Sequence, residues 1–202
     1  MCVDEAARLE ALWRGGFGTD YTARNAAAGD PRGPFWRSCL DRYRAKSVLE
    51  VGCNLGANLR WIAPAAPGPV AGIDVNETAL ATLRRDVPRA HPVVAAARAL
   101  PFREGAFDLV FTIGVLIHQP PDRLRDVMAE IVRCAGRWVL CGEYYGMAPT
   151  EVPYRGQSGA LFKRDFGTDY QRWFASLRLV DCGFLSRDEG WGDVTYWTFE
   201  KR

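Results

Sequence analysis

The chain has 202 residues, a length that fits one α/β domain with a sizeable core. Its 26 Lys and Arg against 24 Asp and Glu give a net charge of +2, far from the strongly basic balance expected of non-specific nucleic-acid binders. Six scattered cysteines without a Cys-x-x-Cys pair, and only two histidines, argue against a metal site or a disulfide framework. The acids Asp4, Glu5 and Glu10 exclude a secretory signal, and no apolar run is long enough to span a membrane, so we expect a reduced, cytoplasmic protein.

The first helix is predicted over Val3 to Trp13, and a glycine-rich break follows at residues 15–18. A second break at residues 29–34 precedes a helix from Pro34 to about Tyr43. From Ser47 onward, apolar strands alternate with amphipathic helices, which favours a parallel sheet covered on both faces. The predicted strands are residues 47–51, 69–74, 91–95, 107–112 and 136–142, and the predicted helices are residues 56–63, 77–85 and 122–134.

Two final apolar runs, Leu177 to Leu185 and Asp193 to Glu200, are separated only by Ser186 to Gly192. So short a connection permits an antiparallel hairpin but no parallel crossover. The sequence therefore predicts an α/β domain over residues 47–202, with a mostly parallel sheet ended by a C-terminal antiparallel hairpin. Residues 1–46 are predicted to form a helical lid or cap.

The most informative stretch runs from Val48 to Gly56. An apolar strand that carries an acid, Glu50, is followed there by a tight turn with two glycines, Gly52 and Gly56. A second apolar strand ends in Asp74, 18 residues beyond Gly56. Glycines let the backbone approach a ligand closely, and an acid at the end of the next strand can accept both hydroxyls of a ribose. The two motifs together predict a nucleoside-binding half-site.

The spacing of this site distinguishes two classes of enzyme. Dinucleotide oxidoreductases use Gly-x-Gly-x-x-Gly, but here Asn54 stands at the middle glycine and Glu50 would oppose a pyrophosphate at the helix N-terminus. Glu-x-Gly-x-x-x-Gly instead resembles the first motif of class I S-adenosylmethionine (AdoMet) methyltransferases, in which the acid faces a cationic ligand. Leu100 to Phe111 and Val115 to His118 resemble the later motifs of that family.

Four stretches narrow the resemblance to the pseudaminic acid biosynthesis-associated methylases: Trp13 to Asn25, Glu143 to Tyr145, Glu151 to Gly156 and Leu161 to Phe166. The resemblance covers nearly the whole chain. It implies the Rossmann-like, seven-stranded class I methyltransferase fold, with AdoMet as cofactor and S-adenosylhomocysteine as product. It further implies a biosynthetic enzyme that methylates a polar small molecule. From the weak net charge and the absence of a long apolar run we expect no nucleic-acid or membrane partner.

The resemblance also implies a cofactor site. Its expected members are Glu50, Gly52, Asn54, Gly56, Asp74, Val75, Ala97 and Arg24. Asp74 would hold the ribose and Val75 would pack on the adenine, although the carboxylate of Asp74 could simply cap the next turn. Many methyltransferases carry an acid for the adenine amine close to Ala97, and this chain has none in Ala95 to Ala97. Arg24 would suit the methionine carboxylate or an acidic substrate, and Asn54 could reach the methionine or merely form the turn.

The acceptor site is expected at the same edge of the sheet. Its candidate catalytic residues are Glu143, Tyr144 and His118, and its candidate substrate-binding residues are Tyr21, Tyr145, Glu151, Tyr154 and Arg155. An acid among tyrosines suits an amine or guanidinium, so methylation of nitrogen is preferred slightly over that of oxygen. A general base is one role for His118, because the unperturbed pKa of a histidine is about 6.5, but a structural or positioning role is preferred.

Three alternatives stay open. The first is methylation of a hydroxyl or carboxylate on a small molecule. The second is an RNA methyltransferase, which the sequence disfavours because Thr112 to Val115 lacks the Asn/Asp-Pro-Pro-Tyr/Phe motif and no Pro-Cys pair occurs. The third is a catalytically silent AdoMet-binding protein.

Overall fold

Residues 4–25 and 31–202 are described by the computed structural model. The strands in these ranges are β1 (Val48–Val51), β2 (Val70–Asp74), β3 (Ala90–Val94), β4 (Phe107–Ile113), β5 (Ala135–Glu143), β6 (Thr150–Glu151), β7 (Phe162–Lys163), β8 (Leu177–Leu185) and β9 (Val194–Lys201). The α-helices are α1 (Glu5–Arg14), α2 (Gly16–Asn25), α3 (Gly33–Tyr43), α4 (Leu59–Ala65), α5 (Glu77–Asp86), α6 (Leu124–Cys134) and α7 (Phe166–Trp173). Two short 3₁₀ helices cover Leu116–His118 and Arg187–Glu189.

The main sheet has the strand order β3-β2-β1-β4-β5-β9-β8. Its first five strands pair in parallel, whereas β9 is antiparallel to both β5 and β8. The predicted α/β fold, a seven-stranded, mostly parallel sheet with a C-terminal antiparallel hairpin, is therefore confirmed. Because the carboxyl ends of parallel strands meet at one edge, the turns after β1 to β5 share that edge, where open α/β sheets bind ligands.

Helices cover both faces of the sheet. The apolar residues of α6 and α7 pack on one face, and those of α3, α4 and α5 pack on the other. In α6, Leu124, Met128 and Ile131 recur at helical spacing and are buried. None of the helices in residues 4–25 and 31–202 is long and apolar enough to cross a membrane.

The predicted break at residues 15–18 is wrong in its extent, because α2 begins at Gly16 and only Gly15 separates it from α1. The corner is tight: a Cβ on Gly18 would lie 1.8 Å from the carbonyl oxygen of Trp13. Glycine at residue 18 therefore permits close helix packing instead of ending the helix. The predicted helix start at Val3 and the first part of the break at residues 29–34 lie outside the described residues.

Two further differences concern turns. The helix predicted from residue 56 begins at Leu59, because Asn54 and Gly56 have φ values of 47° and 82°, which no right-handed helix contains. The small hairpin of β6 and β7, which lies between β5 and α7, was not predicted. It carries few apolar residues and has no strong turn pair, so the sequence has no hairpin signal there.

Candidate active site

A cleft of about 730 Å³ opens at the carboxyl edge of the sheet. Its walls come from α1 and α2, from the turns after β1 to β5, from the tip of the β6–β7 hairpin and from the loop between β8 and β9. Most of the residues predicted for the cofactor or the acceptor line it: Tyr21, Arg24, Glu50, Gly52, Asn54, Asp74, Val75, Ala97, His118, Tyr144, Tyr154 and Arg155. The topology thus gathers residues that are far apart in sequence into one site.

The turn after β1 is held by its backbone geometry. Gly52 has a φ of 73°, and a Cβ there would lie 2.5 Å from the side chain of Val115. Gly56 has a φ of 82°, and a Cβ there would lie 2.3 Å from Leu83. The N–H groups of Gly52 and Cys53 both donate to the carbonyl oxygen of Ile73 in β2. Only glycine combines this conformation with such close neighbours, so both glycines are required by the turn.

The carboxylate of Asp74 is oriented by two backbone donors. The N–H of Asn54 donates to its Oδ2 at 2.8 Å, and the N–H of Asn76 donates to its Oδ1 at 2.9 Å. Burial raises the pKa of Asp74, and these backbone N–H groups oppose the rise. A carboxylate oxygen accepts more than one hydrogen bond, so each oxygen retains capacity for a hydroxyl in the cleft.

Glu50 lies at the floor of the cleft and is only 2% exposed. Its Oε1 accepts from Nδ2 of Asn58 at 2.6 Å. Oδ1 of Asn58 in turn accepts from Arg32 at 3.0 Å and from the indole N–H of Trp36 at 3.2 Å. The floor is therefore joined by hydrogen bonds to helix α3.

Helices α1 and α2 dock on the turns that flank Asp74. The hydroxyl of Thr22 donates to Oδ1 of Asn54 at 2.8 Å. Nδ2 of Asn76 donates to the carbonyl oxygen of Trp13 at 3.0 Å, while its Oδ1 accepts from the N–H of Ala79 and caps α5. The side chain of Asn54 is thereby engaged with the N-terminal helices. Arg24 lies exposed at the rim.

His118 is a buried, neutral ring in the cleft wall. Its Nδ1 lies 2.5 Å from the carbonyl oxygen of Ala160, which can only accept, so Nδ1 carries the proton and Nε2 is the acceptor. Burial lowers the pKa of His118 to about 4. The ring packs between Trp13, at 4.6 Å, and Tyr154, at 5.2 Å between centroids. A group with so low a pKa can orient a donor but is a poor general base near neutral pH.

Three tyrosines from different elements converge in the cleft: Tyr21 of α2, Tyr144 after β5 and Tyr154 after β6. Burial raises the pKa of Tyr21 to about 12, and the charges of Tyr154 and Tyr144 add to the rise. Within residues 4–25 and 31–202, no hydrogen bond engages any of the three hydroxyls. Their hydroxyls therefore remain available to a ligand.

Glu143 is not part of the cleft lining, and it is completely buried. Its Oε1 accepts from the hydroxyl of Thr112 and from the N–H groups of Val115 and Leu116 at 2.9–3.2 Å, and its Oε2 accepts from the N–H of Ile117 at 3.3 Å. Burial raises the pKa of Glu143 to about 7. The carboxylate thus anchors the 3₁₀ turn that ends in His118, and the structure does not bring it to a reacting group.

Three other predicted residues, Gly56, Tyr145 and Glu151, also lie outside the cleft lining. Tyr145 is 48% exposed and packs near Trp197, and the carboxylate of Glu151 accepts from the N–H of Gly159. Arg155, by contrast, lines the rim at the tip of the β6–β7 hairpin. The acidic rim expected around an amine is therefore absent from the described cleft wall.

Sequence reasoning missed several cleft residues: Glu10, Trp13, Thr22, Asn76, Arg187 and Trp191. One signal was present, since Ala6, Leu9, Glu10 and Trp13 recur at helical spacing on α1 and form its inward face. Nothing in the sequence indicates that this face closes over strand ends far along the chain. Among the described residues, no group of three His, Cys, Asp or Glu could hold a metal ion.

Residues 48–136 match a family model described as a methyltransferase domain. The matched stretch is less than half of the chain. The match confirms the predicted class I methyltransferase, and with it the enzyme class and the AdoMet cofactor, at the level of the domain. The narrower resemblance to the pseudaminic acid biosynthesis-associated methylases is not shown and stays a prediction.

Curated relatives align with part of the chain. The methyltransferase GfsG of Streptomyces halstedii is 31% identical over 108 residues, which are 50% of this chain and 39% of that protein. The tRNA U34 carboxymethyltransferase of Ectopseudomonas mendocina is 35% identical over 162 residues, which are 71% of this chain and 49% of that protein. The chain spans less than half the length of either relative.

Among solved structures, the 1,6-didemethyltoxoflavin-N1-methyltransferase of Burkholderia thailandensis, with bound 1,6-didemethyltoxoflavin and S-adenosylhomocysteine, has the same fold. The TM-score is 0.76 at 18% identity, with 100% of this chain and 92% of that chain covered. At this level of identity the likeness concerns the fold.

Proposed function

We propose that the protein transfers a methyl group from AdoMet to a polar small molecule. The observation that carries the proposal is the Asp74 carboxylate, which two backbone N–H groups orient at the end of β2 within the methyltransferase domain. An acid at this place beside a glycine turn suits the two hydroxyls of a ribose. The adenine would then lie on Val75 and Ala97, and the methionine end would lie over Glu50 near Asn54 and Arg24.

Residues 1–46 are proposed to act as a lid over this site. Support comes from the hydrogen bonds of Thr22 to Asn54 and of Asn76 to Trp13, which tie the described part of the segment to both turns beside Asp74. A closed lid excludes water from the reacting groups.

The acceptor is proposed to bind between His118 and the three tyrosines. Tyr21, Tyr144 and Tyr154 offer hydroxyls for which the described residues provide no hydrogen-bond partner, and Arg155 and Arg187 add positive charge at the rim. The preference for nitrogen rested on Glu143 and Glu151, which do not line the cleft. The described wall instead favours an acceptor with a carboxylate or another hydrogen-bond-accepting group that faces these cations.

When bound, AdoMet supplies an electrophilic methyl group on a sulfonium. The chain's own contribution is then to position the acceptor and to exclude water. In the neutral tautomer, Nε2 of His118 accepts hydrogen bonds. It would therefore orient an O–H or N–H group of the methyl-accepting substrate. The hydroxyls of Tyr21 and Tyr154 would hold its other polar atoms. Glu143 acts at one remove, because it fixes the turn that carries His118.

A second candidate acceptor is RNA, because one relative is a tRNA carboxymethyltransferase. Incubation of the protein with isotope-labelled AdoMet and either a deproteinised metabolite extract or total RNA separates the two. We expect label in the metabolite fraction. Label confined to RNA would support the second candidate.

The cofactor assignment is tested by calorimetric titration of AdoMet. Asp74→Ala should weaken binding by about 1–3 kcal/mol, the usual cost of leaving hydrogen-bonding groups unpaired on the ribose. Asp86→Ala, which changes an exposed acid at the end of α5, serves as the control. Equal affinities in the two folded variants would contradict the assignment, and absence of AdoMet binding by the unmodified protein would refute the function.

A further inference from the structure

Helix α1 presents an unusual residue to the cleft. Its inward face consists of Ala6, Leu9 and Trp13, which are apolar, and of Glu10, which is not. A carboxylate is costly on an otherwise apolar, inward face unless a partner holds it. In the described structure the partner of Glu10 is Arg98, whose Nε lies 2.5 Å from Oε1 and whose Nη2 lies 3.3 Å from Oε2.

The position of Arg98 shows which part of the cleft Glu10 faces. Arg98 follows Ala97 in the segment after β3, and this segment is tied to β2 by the hydrogen bond from the N–H of Ala95 to the carbonyl oxygen of Asp74. Glu10, Ala95, Ala97 and Arg98 all line the same cleft. In the proposed function the adenine of a nucleoside held by Asp74 lies on Val75 and Ala97, which puts it beside the segment after β3 that carries Arg98.

Ala95 to Ala97 offer this base no side-chain hydrogen bond. We infer that Glu10 of the N-terminal helix accepts a hydrogen bond from the exocyclic amine of the adenine, so that the lid itself reads the base. This inference rests on the proposed function. Arg98 engages each carboxylate oxygen of Glu10 only once, and a carboxylate has about four acceptor positions, so capacity for an amine remains.

The inference has a chemical consequence that a purely structural ion pair lacks. A carboxylate accepts from the amine of adenine, but it repels the carbonyl oxygen that hypoxanthine carries at the same place. A site built for one hydrogen-bonding group discriminates strongly against an analogue that lacks it. The protein should therefore bind S-adenosylhomocysteine more tightly than S-inosylhomocysteine, and Glu10 should cause the difference.

The test is calorimetric titration of both compounds into the full chain and three variants. Glu10→Ala removes the proposed acceptor, and Arg98→Ala removes the ion pair but leaves the carboxylate. Glu5→Ala, on the same helix and outside the cleft lining, controls for the stability of α1. We expect Glu10→Ala to lower the ratio of the two affinities about tenfold or more, because a charge-assisted hydrogen bond is lost.

Arg98→Ala should weaken both compounds alike and keep the ratio within about twofold, and Glu5→Ala should change neither affinity. The inference is overturned if the unmodified protein binds both compounds equally, or if Glu10→Ala and Arg98→Ala have the same effect on the ratio. Binding of both compounds with equal affinity leaves the proposed function standing. Failure to bind either compound refutes the proposed function and the inference with it.

Discussion

The two halves of the cleft, around Asp74 and around Tyr154, differ in whether their polar side chains have hydrogen-bond partners within the described part of the protein. On the side proposed for the donor, the side chains of Asp74, Asn54 and Asn76 are each engaged in hydrogen bonds with the protein. On the side proposed for the acceptor, Tyr21 and Tyr154 carry hydroxyls for which the described residues offer no partner. The first half is complete without its ligand, and the second is not.

The difference follows from where the residues come from. Backbone of β1 and β2 and their turns builds the donor half, so its geometry is set by the sheet and by two glycines at positive φ. The acceptor half is built from α2, from the residues after β5 and from the β6–β7 hairpin, which the sheet does not constrain. One half can thus hold a constant ligand while the other is free to vary with the acceptor.

The contribution of the glycine turn to stability can be tested at Gly52. Gly52→Ala forces a left-handed alanine and drives its Cβ towards Val115, so we expect the free energy of unfolding to fall by about 2–4 kcal/mol. Gly114→Ala is the matched control, because Gly114 has a φ of 66° and no atom of the described residues lies within 4 Å of an added Cβ. Denaturant unfolding should show a smaller loss for Gly114→Ala. Equal losses would mean that the contact with Val115 costs nothing.

The turn that ends in His118 and is held by Glu143 lies between the two halves. Folding shifts the pKa values of these two residues in opposite directions. The pKa of His118 falls from about 6.5 to about 4 on folding, so its contribution to stability is complete above pH 6.5 and is lost as the pH falls towards 4. The pKa of Glu143 rises from 4.5 to about 7, so its contribution is complete below pH 4.5 and is lost as the pH rises towards 7.

In a variant that lacks one of the two groups, the free energy of unfolding should follow the pH dependence of the group that remains. Relative to the unmodified protein, the stability of Glu143→Gln should decline further between pH 7 and pH 5, and that of His118→Asn should decline less, each by about 2 kcal/mol. Urea unfolding at pH 5, 6 and 7 measures both differences. Parallel pH profiles for the unmodified protein and both variants would show that neither group has a shifted pKa.

The donor half could be predicted from the sequence because its chemistry is local. Gly52, Gly56 and Asp74 stand at fixed distances from strand ends, and parallel strands bring such ends together. Asn76 and Thr22 escaped prediction, since their contacts with Trp13 and Asn54 join segments that are remote in sequence.

The acceptor half was predicted less well for a physical reason. Glu143 is the last residue of β5, at the edge of the sheet that carries the cleft. Whether its carboxylate turns to the cleft or to the backbone depends on the turn of Val115 to Ile117. Glu151 bonds to its own hairpin, and Arg155 reaches the rim. Sequence position places a residue at an edge, and only packing decides the direction in which its side chain points.

Tyr154→Phe tests whether the hydroxyl of this residue in the acceptor half binds the substrate. The hydroxyl has no hydrogen-bond partner among residues 4–25 and 31–202, so the free energy of unfolding should stay within about 0.5 kcal/mol. Turnover should fall about three- to tenfold, because a hydrogen bond to the acceptor contributes about 1 kcal/mol. Steady-state kinetics with the identified acceptor, beside AdoMet titration, measures both. Tyr43→Phe, which lies outside the cleft, controls for loss of a hydroxyl. Unchanged turnover in Tyr154→Phe would remove this residue from the site.

The smallest effect is expected for a substitution of Arg155, which should change KM without lowering the free energy of unfolding. Arg155 and Gly156 have φ values of 50° and 78° in a tight turn closed by hydrogen bonds between Tyr154 and Gln157, a conformation that asparagine tolerates better than arginine. Arg155→Asn should therefore leave the free energy of unfolding unchanged or raise it by about 0.5 kcal/mol. The KM for an acidic acceptor should nevertheless rise several-fold, because a cation at the rim is lost.

Arg44→Asn is the matched control for Arg155→Asn, since Arg44 has a φ of 49° at the end of α3 and lies outside the cleft lining. It should show the same small gain in stability with an unchanged KM. A strained arginine that is retained where asparagine would fit better is the pattern expected of a side chain kept for binding. If both variants leave KM unchanged, Arg155 does not contact the acceptor. Of the two arginines proposed to face the acceptor, only Arg187 would then remain.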